Sequence, residues 1–433
     1  MSVRALAGRP GFRALLVGQG VSALGDWMGT VAFMALTLEL TGSPTAVGGI
    51  LTLRLLPAVV AGPVVTRAVQ RWDRRTTMLA MDGLRAGLIA LVPLVRALWW
   101  VYLLAVLVEV ASIVFLPARD ASIPDLVDAD DLPVANGLVL GSSYATIPLG
   151  AAAFAAFAAL PLGSDGGVSF AAVFLVDAAT FLVSFACIRT LPLPGRVVPA
   201  APAVPTAPTA PTAPTAPTDA PGPPIRFRAA FGIPLVRAVL PATAAVALGL
   251  GALFSLGIVF VQDVLGASPA EFGILIALFG VGSVGGLGVL HRRRDRDALL
   301  ETRRGVMAIG AVIAAFSLAG DVLLAFVGAL AFGGAAAFTL ASGMGVLQRR
   351  LDGDLRVVAF AVFHVVIRCA LGVAAVVAGL AGDLLGGVPG LDEWEPARLV
   401  LLGAGGLIMG SALGVRVRVA ATADPDPDPG SAP

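Results

Sequence analysis

The sequence predicts an all-α membrane protein of twelve transmembrane helices arranged as two six-helix repeats. Hydrophobic residues make up 58% of the chain and charged residues 13%, whereas about a quarter of a soluble domain is charged. Apolar runs of the roughly 20 residues that cross a hydrocarbon core recur along the chain. Two similar phrases, TGSPTAVGGIL from Thr41 and LGASPAEFGIL from Leu265, indicate that the architecture was duplicated.

Twelve apolar runs define the predicted helices 1 to 12. They lie near 13–40, 44–68, 76–95, 99–118, 134–161, 167–188, 236–262, 270–290, 305–320, 322–346, 357–382 and 397–415. The first run is longer than the apolar region of a signal peptide, and no small-residue cleavage site follows it. We therefore expect helix 1 to remain in the protein as a membrane span.

Arginine sets the predicted orientation, because the chain has no lysine and all 29 basic residues are arginine. With the N-terminus inside, 24 of them fall on cytoplasmic segments and only Arg96 and Arg398 on external ones. The remaining three, Arg54, Arg85 and Arg368, lie within the spans. This strong positive-inside asymmetry predicts that both termini are cytoplasmic and that the protein resides in the plasma membrane. The formal net charge of +1 gives no reason to expect a nucleic-acid partner.

A segment rich in Pro, Ala and Thr interrupts the apolar rhythm. Its core, APTAPTAPTAPT from Ala207, favours a polyproline-like spacer over a helix or a strand. We expect an N-terminal repeat at 1–190, a cytoplasmic linker at 191–235, a C-terminal repeat at 236–419 and a disordered tail at 420–433. In both repeats the echoed phrase occupies the turn between the first and second helices.

Several phrases resemble those of a known transporter family. SALGDWMGTVAFMALTLELTGSPTAVGGIL, GPVVTRAVQRWDRR, MDGLRA, LPARDASIPDLVDADDLPVANGL, VLGASPAEFGIL and LQRRLDGDLR are similar to phrases of major facilitator exporters of the macrolide-efflux and enterobactin-exporter type. The resemblance covers nearly the whole chain except the linker and the tail from Ala420. It implies the major facilitator fold and a proton-driven secondary exporter with a central substrate cavity between its halves.

One departure concerns a gating loop that follows helix 2 in that family, GP-x-x-G-x-x-x-D-R-x-D-R-R. Gln70 stands at the aspartate that latches the two halves, and Thr66 stands at the glycine. We expect a weaker latch here, because Gln70 lacks the charge that pairs with arginine or a helix N-terminus. The loop arginines serve either gating or positive-inside anchoring. The candidate gating residues are Gly62, Gln70, Arg71, Asp73, Arg74, Arg75 and, after helix 4, Arg119.

Charged residues inside the spans are the best candidates for a functional site, because a charge at the bilayer centre costs at least about 2.5 kcal/mol. Asp26 on helix 1 and Arg54 on helix 2 lie at heights that differ by roughly 6 Å at 1.5 Å per residue, so we expect them to form a pair. Glu109 lies near the middle of helix 4 with no partner evident in its own half. It is therefore the stronger candidate for proton coupling.

Other polar residues in the spans have open interpretations. On helix 11, His364 and Arg368 are four apart and share a face; His364 either moves protons or packs. Asp177 on helix 6 either couples protons or bonds a neighbouring helix. Arg85 and Asp82, three apart on helix 3, are expected to form a local structural pair.

The leading functional hypothesis is proton antiport of a small amphipathic molecule, with Asp26, Arg54, Glu109, Arg368, Phe33 and Phe254 in the substrate cavity and Phe260 among the nearby aromatic residues. One alternative is export of a polar metabolite or siderophore, whose anionic groups Arg54 and Arg368 would bind. Another is a non-transporting membrane scaffold or sensor that retains the fold.

Enzymatic function is not expected. The P-loop motif needs a lysine, and the chain shows neither a G-x-S-x-G elbow nor a metal-spaced His/Cys cluster. We therefore expect no cofactor and no metal. The expected partners are the substrate, protons and the lipid bilayer, and the expected state is a monomer.

Overall fold

The structure is a computed structural model, and it describes residues 6, 8–69, 72–128, 131–160, 169–193, 234–293, 298–350, 353–388 and 395–414. Within these ranges the chain forms twelve α-helices and no β-strand. They are α1 (Pro10–Thr41), α2 (Pro44–Val69), α3 (Arg74–Leu91), α4 (Leu98–Asp120), α5 (Leu132–Ala158), α6 (Phe170–Arg189), α7 (Pro234–Val259), α8 (Pro269–Arg292), α9 (Ala298–Ser317), α10 (Val322–Arg350), α11 (Gly353–Gly386) and α12 (Pro396–Gly414). The expected all-α fold is thus confirmed.

Eight of the described helices are long and apolar enough to cross a membrane: α1, α3, α4, α6, α7, α8, α10 and α11. Shorter apolar stretches lie in α5, at Ala145–Ala158, and in α12, at Pro396–Ala412. The predicted helix 9, at 305–320, was placed too late along the chain, because α9 begins at Ala298. Its first turns are charged, and Glu301 bonds Arg304 one turn later, at 2.7 Å, which extends the helix beyond its apolar run.

The two echoed phrases form the turns from α1 to α2 and from α7 to α8. Gly42 and Gly266 adopt left-handed φ values of 63° and 67°, which a residue without a Cβ adopts without strain. Pro44 and Pro269 then begin α2 and α8, where a missing N–H costs nothing. We call the side of the bundle that carries these two turns the hairpin side, and the opposite side, with its arginine-rich turns, the arginine side.

Helix packing repeats between the two groups of six helices. In the first group α1 packs on α5 and α6, α3 packs on α4 and α6, and α2 packs on α4. In the second group α7 packs on α11 and α12, α9 on α10 and α12, and α8 on α10. These are the same five pairs shifted by six helices, the packing that a duplicated six-helix unit produces. We refer to the groups as the first and second halves.

Small residues permit the closest of these contacts. On α8, Gly282 and Gly286 lie against the backbone oxygens of Leu330 and Gly334 on α10, as the four-residue spacing predicts. Between the halves, α2 packs on α11 and α5 packs on α8. The cross-half contacts that we describe below lie toward the hairpin side, so the two halves meet there.

Candidate functional site

Three helices of the first half place charged side chains inside the membrane-spanning bundle. Asp26 lies on α1, Arg54 on α2 and Glu109 on α4, and each is partly exposed. Among the described residues, none of the three charged groups takes part in a hydrogen bond or a direct ion pair. These side chains are therefore ionisable groups inside the bundle that no hydrogen bond or ion pair within the described part of the chain holds.

The direct Asp26 to Arg54 ion pair expected from their heights is not formed. The Arg54 guanidinium instead lies over the ring of Phe33, with its carbon 5.4 Å from the ring centroid. Such cation–π contacts stabilise an arginine without neutralising it. The positive charges of Arg85 and Arg54 both act on the Asp26 carboxylate, so Asp26 is near two arginines and forms a described ion pair with neither.

Glu109 lies in the field of charges from both halves. Arg54, Asp26 and Arg85 act on it from the first half, and Arg368 acts on it from α11 of the second half. Arg368 is exposed and forms no ion pair within the described part of the chain. Glu109 and Arg368 therefore bring opposite charges of the two halves into one neighbourhood.

The Asp82 to Arg85 ion pair on α3 is formed as expected and is fully internal. The Arg85 guanidinium bonds the Asp82 carboxylate, with side-chain exposures of 5% and 0%. The guanidinium also contacts two aromatic rings: its carbon lies 4.3 Å from the ring centroid of Phe115 and 4.4 Å from that of Phe181. This arrangement ties α3 to α4 and α6, which is the structural role that the sequence predicted.

Asp177 on α6 is 1% exposed and packs against α1. Its carboxylate fills the space left by Gly25 and Gly29, where a Cβ on either glycine would overlap it. One carboxylate oxygen, Oδ1, has no hydrogen-bond partner. At this oxygen Asp177 makes no bond to a neighbouring helix, and its side chain lies inside the α1 to α6 contact, so both interpretations of Asp177 stay predictions.

The aromatic candidates differ in exposure. Phe33 and Phe260 are both 0% exposed; Phe33 packs on Phe174 with centroids 4.9 Å apart, and Phe260 packs on Phe316 at 5.2 Å. Neither ring faces open space in the structure, and the role of Phe33 in a substrate cavity stays a prediction. Phe254 is partly exposed and remains a candidate.

Phe254 also borders a small internal cavity of the second half, between α7, α8, α9 and α10. Its volume is about 20 Å³, and the phenylalanines that line it are Phe254, Phe272, Phe279, Phe316 and Phe332. This space corresponds to about one water molecule, and an apolar lining keeps such a space dry. The cavity is too small for a substrate, but it shows that this part of the second half is uniformly aromatic and apolar.

The arginine-side residues contact their own half. Arg74 donates to the Ala121 carbonyl and to Asp125 Oδ2, both at 2.6 Å. Arg75 donates to the carbonyl of Arg189. These bonds fasten the start of α3 to the ends of α4 and α6, within the first half.

Arg119 also contacts its own half, because it donates to Gln19 Oε1 at 3.0 Å and to the neighbouring Asp120.

Gln70 and Arg71 lie outside the described residues. For Gly62 and His364 only the backbone is described, as part of α2 and α11. A latch through Gln70 therefore stays a prediction.

Sequence reasoning missed the polar contacts that join the halves. Thr52 Oγ1 on α2 donates to the Gly372 carbonyl on α11 at 2.8 Å. Ser255 Oγ on α7 donates to the Pro44 carbonyl at 3.0 Å. Hydroxyl residues in apolar runs carry no sequence signal of a partner more than 200 residues away, and the structure alone reveals these bonds.

No group of three or more His, Cys, Asp or Glu side chains that could hold a metal ion occurs in the described ranges. The carboxylates of Asp26 and Glu109 can bind protons, and the guanidiniums of Arg54 and Arg368 can form ion pairs. Two carboxylates and two guanidiniums can exchange partners with each other, with a proton or with a charged ligand.

Comparison with known proteins agrees with the fold. Residues 15–300 match the family model described as Major Facilitator Superfamily. YfiS of Bacillus subtilis (strain 168), an uncharacterized MFS-type transporter, is 28% identical over 187 residues. That match covers 42% of this chain and 42% of YfiS, so the aligned part spans less than half of that relative's length.

Solved structures show the same architecture. The nucleoside transporter NupG superposes with a TM-score of 0.70 at 13% identity, covering 93% of this chain and 98% of that one. A bacterial homologue of the lysosomal transporter Spinster, inward-facing and unoccupied, gives 0.71 at 16% identity, with coverages of 96% and 95%. Identities this low establish the fold alone. The family match shows that the chain belongs to the Major Facilitator Superfamily, and it is a multi-pass membrane transporter of that type.

Proposed function

We propose that this transporter is a secondary exporter that moves a small amphipathic molecule out of the cell in exchange for protons. The observation that supports the proposal concerns Glu109, whose carboxylate forms no hydrogen bond or ion pair within the described residues. It lies near Arg54 and Asp26 of its own half and Arg368 of the other. A carboxylate with no fixed partner can change its protonation state as its surroundings change. A carboxylate locked in an ion pair cannot do so without breaking that pair.

The proposed cycle uses alternating access between the two halves. When the bundle closes around Glu109, loss of water disfavours the charged carboxylate, so a proton is taken up. When water enters or an arginine approaches, the charged form is favoured again and the proton leaves. If uptake and release occur on opposite sides of the membrane, an inward proton flux drives substrate outward.

The substrate class follows from the unequal chemistry of the halves. Charges of the first half, with Arg368, suit a polar or ionised group, whereas the phenylalanines around Phe254 suit an apolar one. A molecule that carries both parts matches both surfaces. Arg54 and Arg368 have no ion-pair partner in the described ranges, and this observation favours a second candidate, a polar anionic metabolite or siderophore.

The arginine distribution supports the proposed orientation, with both termini in the cytoplasm of a cell bounded by this membrane. In that orientation the hairpin side faces outward and the arginine side faces inward. We propose that the functional unit is a monomer, because each half of the candidate site comes from the same chain.

Reconstitution in proteoliposomes tests the proposal. A trapped pH-sensitive dye reports proton movement while amphipathic amines, neutral aromatic compounds and aromatic carboxylates are supplied one at a time. We expect at least one amphipathic compound to move protons only when the protein is present. Response to carboxylates alone selects the anionic alternative. A rate of substrate transport that is the same with and without a pH gradient contradicts proton antiport.

A further inference from the structure

The first turn of α2 is bonded to a carboxylate from the other half of the protein. Asp383, near the hairpin-side end of α11, accepts a hydrogen bond from Ser43 Oγ at 2.8 Å through its Oδ2 atom. The same atom accepts the backbone N–H of Thr45 at 3.2 Å. These bonds join residues about 340 positions apart and satisfy one of the free N–H groups at the start of α2.

The equivalent turn of α8 is closed by its own residue. Ser268 and Glu271 form a reciprocal capping box, in which Glu271 accepts the Ser268 N–H at 2.7 Å and donates its own N–H to Ser268 Oγ at 3.3 Å. Aligning the two echoed phrases on Pro44 and Pro269 places Ala46 where α8 has Glu271. The first half therefore lacks the local acid, and Asp383 supplies that carboxylate from across the interface.

Close backbone contacts surround this bond. A Cβ on Gly379, one turn before Asp383, would lie 2.6 Å from the Pro44 carbonyl oxygen. Ser255 of α7 donates to the same carbonyl at 3.0 Å. The start of α2 is thus held by two helices of the second half, and separation of the halves on this side must break the bonds to Asp383.

We propose that Asp383 is a latch that holds the hairpin side closed by capping α2 from the opposite half. A carboxylate at a helix N-terminus is favoured by the N–H groups and the helix dipole. Opening the hairpin side removes this stabilisation from α2 but leaves the capping box of α8 intact. The inference rests on the alternating access of the proposed function, but it requires neither a proton nor a particular substrate.

Distance measurements between spin labels test the latch without any transport assay. Cys187 and Cys369 are first replaced by alanine, and labels are placed on cysteines at Leu94 and Leu318. These two leucines lie in hairpin-side turns of different halves and are 69% and 64% exposed. Double electron–electron resonance then gives the populations of short and long distances in the closed and open states.

We expect Asp383→Ala to raise the ratio of long to short distances by about fivefold. Asp383→Asn keeps the shape and one acceptor but loses the charge, so we expect a smaller shift in the same direction. Glu271→Gln, which alters the cap within one half, serves as the matched control and should leave the distribution unchanged.

An unchanged distribution in both Asp383 variants overturns the latch. So does an equal shift in Glu271→Gln, because that result means that any weakened helix start loosens this side. Since the labels report distances in the absence of substrate and of a pH gradient, failure of the export proposal leaves this test intact.

Discussion

Gly48 of α2 lies directly against the backbone carbonyl of Ala375 in α11, with no side chain between the two helices. A Cβ on Gly48 would overlap that carbonyl and lie 2.9 Å from Ser255 Oγ. Its counterpart in the second echo, Gly273 of α8, packs closely on α5, where an added Cβ would lie 2.8 Å from the Ala155 Cβ and 2.9 Å from the Ala155 nitrogen. The duplicated phrases thus provide one glycine for each of the two helix pairs that join the halves.

We predict that Gly48→Ala forces α2 and α11 apart on the hairpin side. Overfilling a tightly packed contact typically costs about 1–3 kcal/mol. Here the added methyl group destabilises the closed state relative to the open state, in which α2 and α11 are apart. The long-distance population between labels at Leu94 and Leu318 should therefore rise severalfold.

Gly87→Ala is the matched control, because a Cβ on Gly87 of α3 meets no atom within 4 Å. Alanine is favoured over glycine in helices by about 1 kcal/mol, so this variant should be neutral or more stable. The close contact has no role in closure if the Gly48 and Gly87 variants show the same distance distribution.

We predict that Arg85→Met strongly destabilises the protein in detergent. It leaves Asp82, which is 0% exposed, as an uncompensated internal charge, and removal of one partner of such a pair costs about 3–5 kcal/mol. Replacing both partners, with Asp82→Leu and Arg85→Met together, should restore much of the loss. Thermal unfolding measures each variant.

The comparison variant is Arg96→Met, because Arg96 pairs with Glu39 at side-chain exposures of 64% and 46%. An exposed pair contributes at most about 1 kcal/mol, so its melting temperature should change little. A similar effect of the Arg85 and Arg96 substitutions rules out the internal pair as a major contribution to stability.

Asp73 gives a prediction for pH. Its hydrogen bonds with Thr76, including the Thr76 N–H at 2.7 Å, hold the pKa of Asp73 below its ordinary value. A depressed pKa stabilises the fold above the unfolded value of about 3.9, and the contribution disappears as pH falls through the folded value. Asp73→Ala should therefore cost about 1 kcal/mol near neutral pH and less at strongly acidic pH, where the protonated carboxyl can still accept the cap hydrogen bond but no longer carries a charge.

Asp73→Asn separates the cap from its charge, since asparagine caps helices nearly as well. This variant should retain most of the stability at neutral pH and lose the pH dependence. Thermal unfolding at a series of pH values gives both comparisons, and a stability loss in Asp73→Ala that is independent of pH contradicts the assignment.

We predict that deletion of Ala207 to Thr218 leaves transport nearly unchanged. This part of the linker lies outside the described residues, and its repeat offers neither charge nor large apolar side chains for docking. Closure entropy varies only slowly with loop length. Transport at matched expression measures the effect, and loss of most activity in a correctly inserted deletion variant shows that the segment binds or regulates.

The helices and their turns were predictable from sequence because both depend on local chemistry. Apolar length located the spans, and the echoed phrases located the turns that contain Gly42 and Gly266. The start of α9 was missed, since charged residues such as Glu301 extend that helix by pairing within it rather than by being apolar.

The site was predictable only in part. Helix heights predicted an Asp26 to Arg54 ion pair that is not formed, because they contain no information about the rotation that directs Arg54 over Phe33. The Asp383 contact was missed because its partners are remote in sequence. The one local signal was Ala46, which replaces the capping acid that α8 has at Glu271.

In the proposed mechanism, the carboxylate of Glu109, which forms no ion pair among the described residues, couples proton movement to substrate movement. Glu109→Gln keeps the shape and hydrogen-bonding capacity but cannot release a proton. Asp26→Asn is the matched comparison, because Asp26 also lacks a direct partner but is near Arg85 and Arg54 of its own half, whereas Arg368 of the second half acts on Glu109.

The most direct measurement is transport by Glu109→Gln in proteoliposomes, at matched protein content, with and without a pH gradient. We predict that gradient-driven transport is abolished, whereas substrate binding and downhill exchange persist, and that Asp26→Asn retains a response to the gradient. Full gradient-driven transport by Glu109→Gln contradicts the account and transfers the coupling role to Asp26, Asp177 or His364.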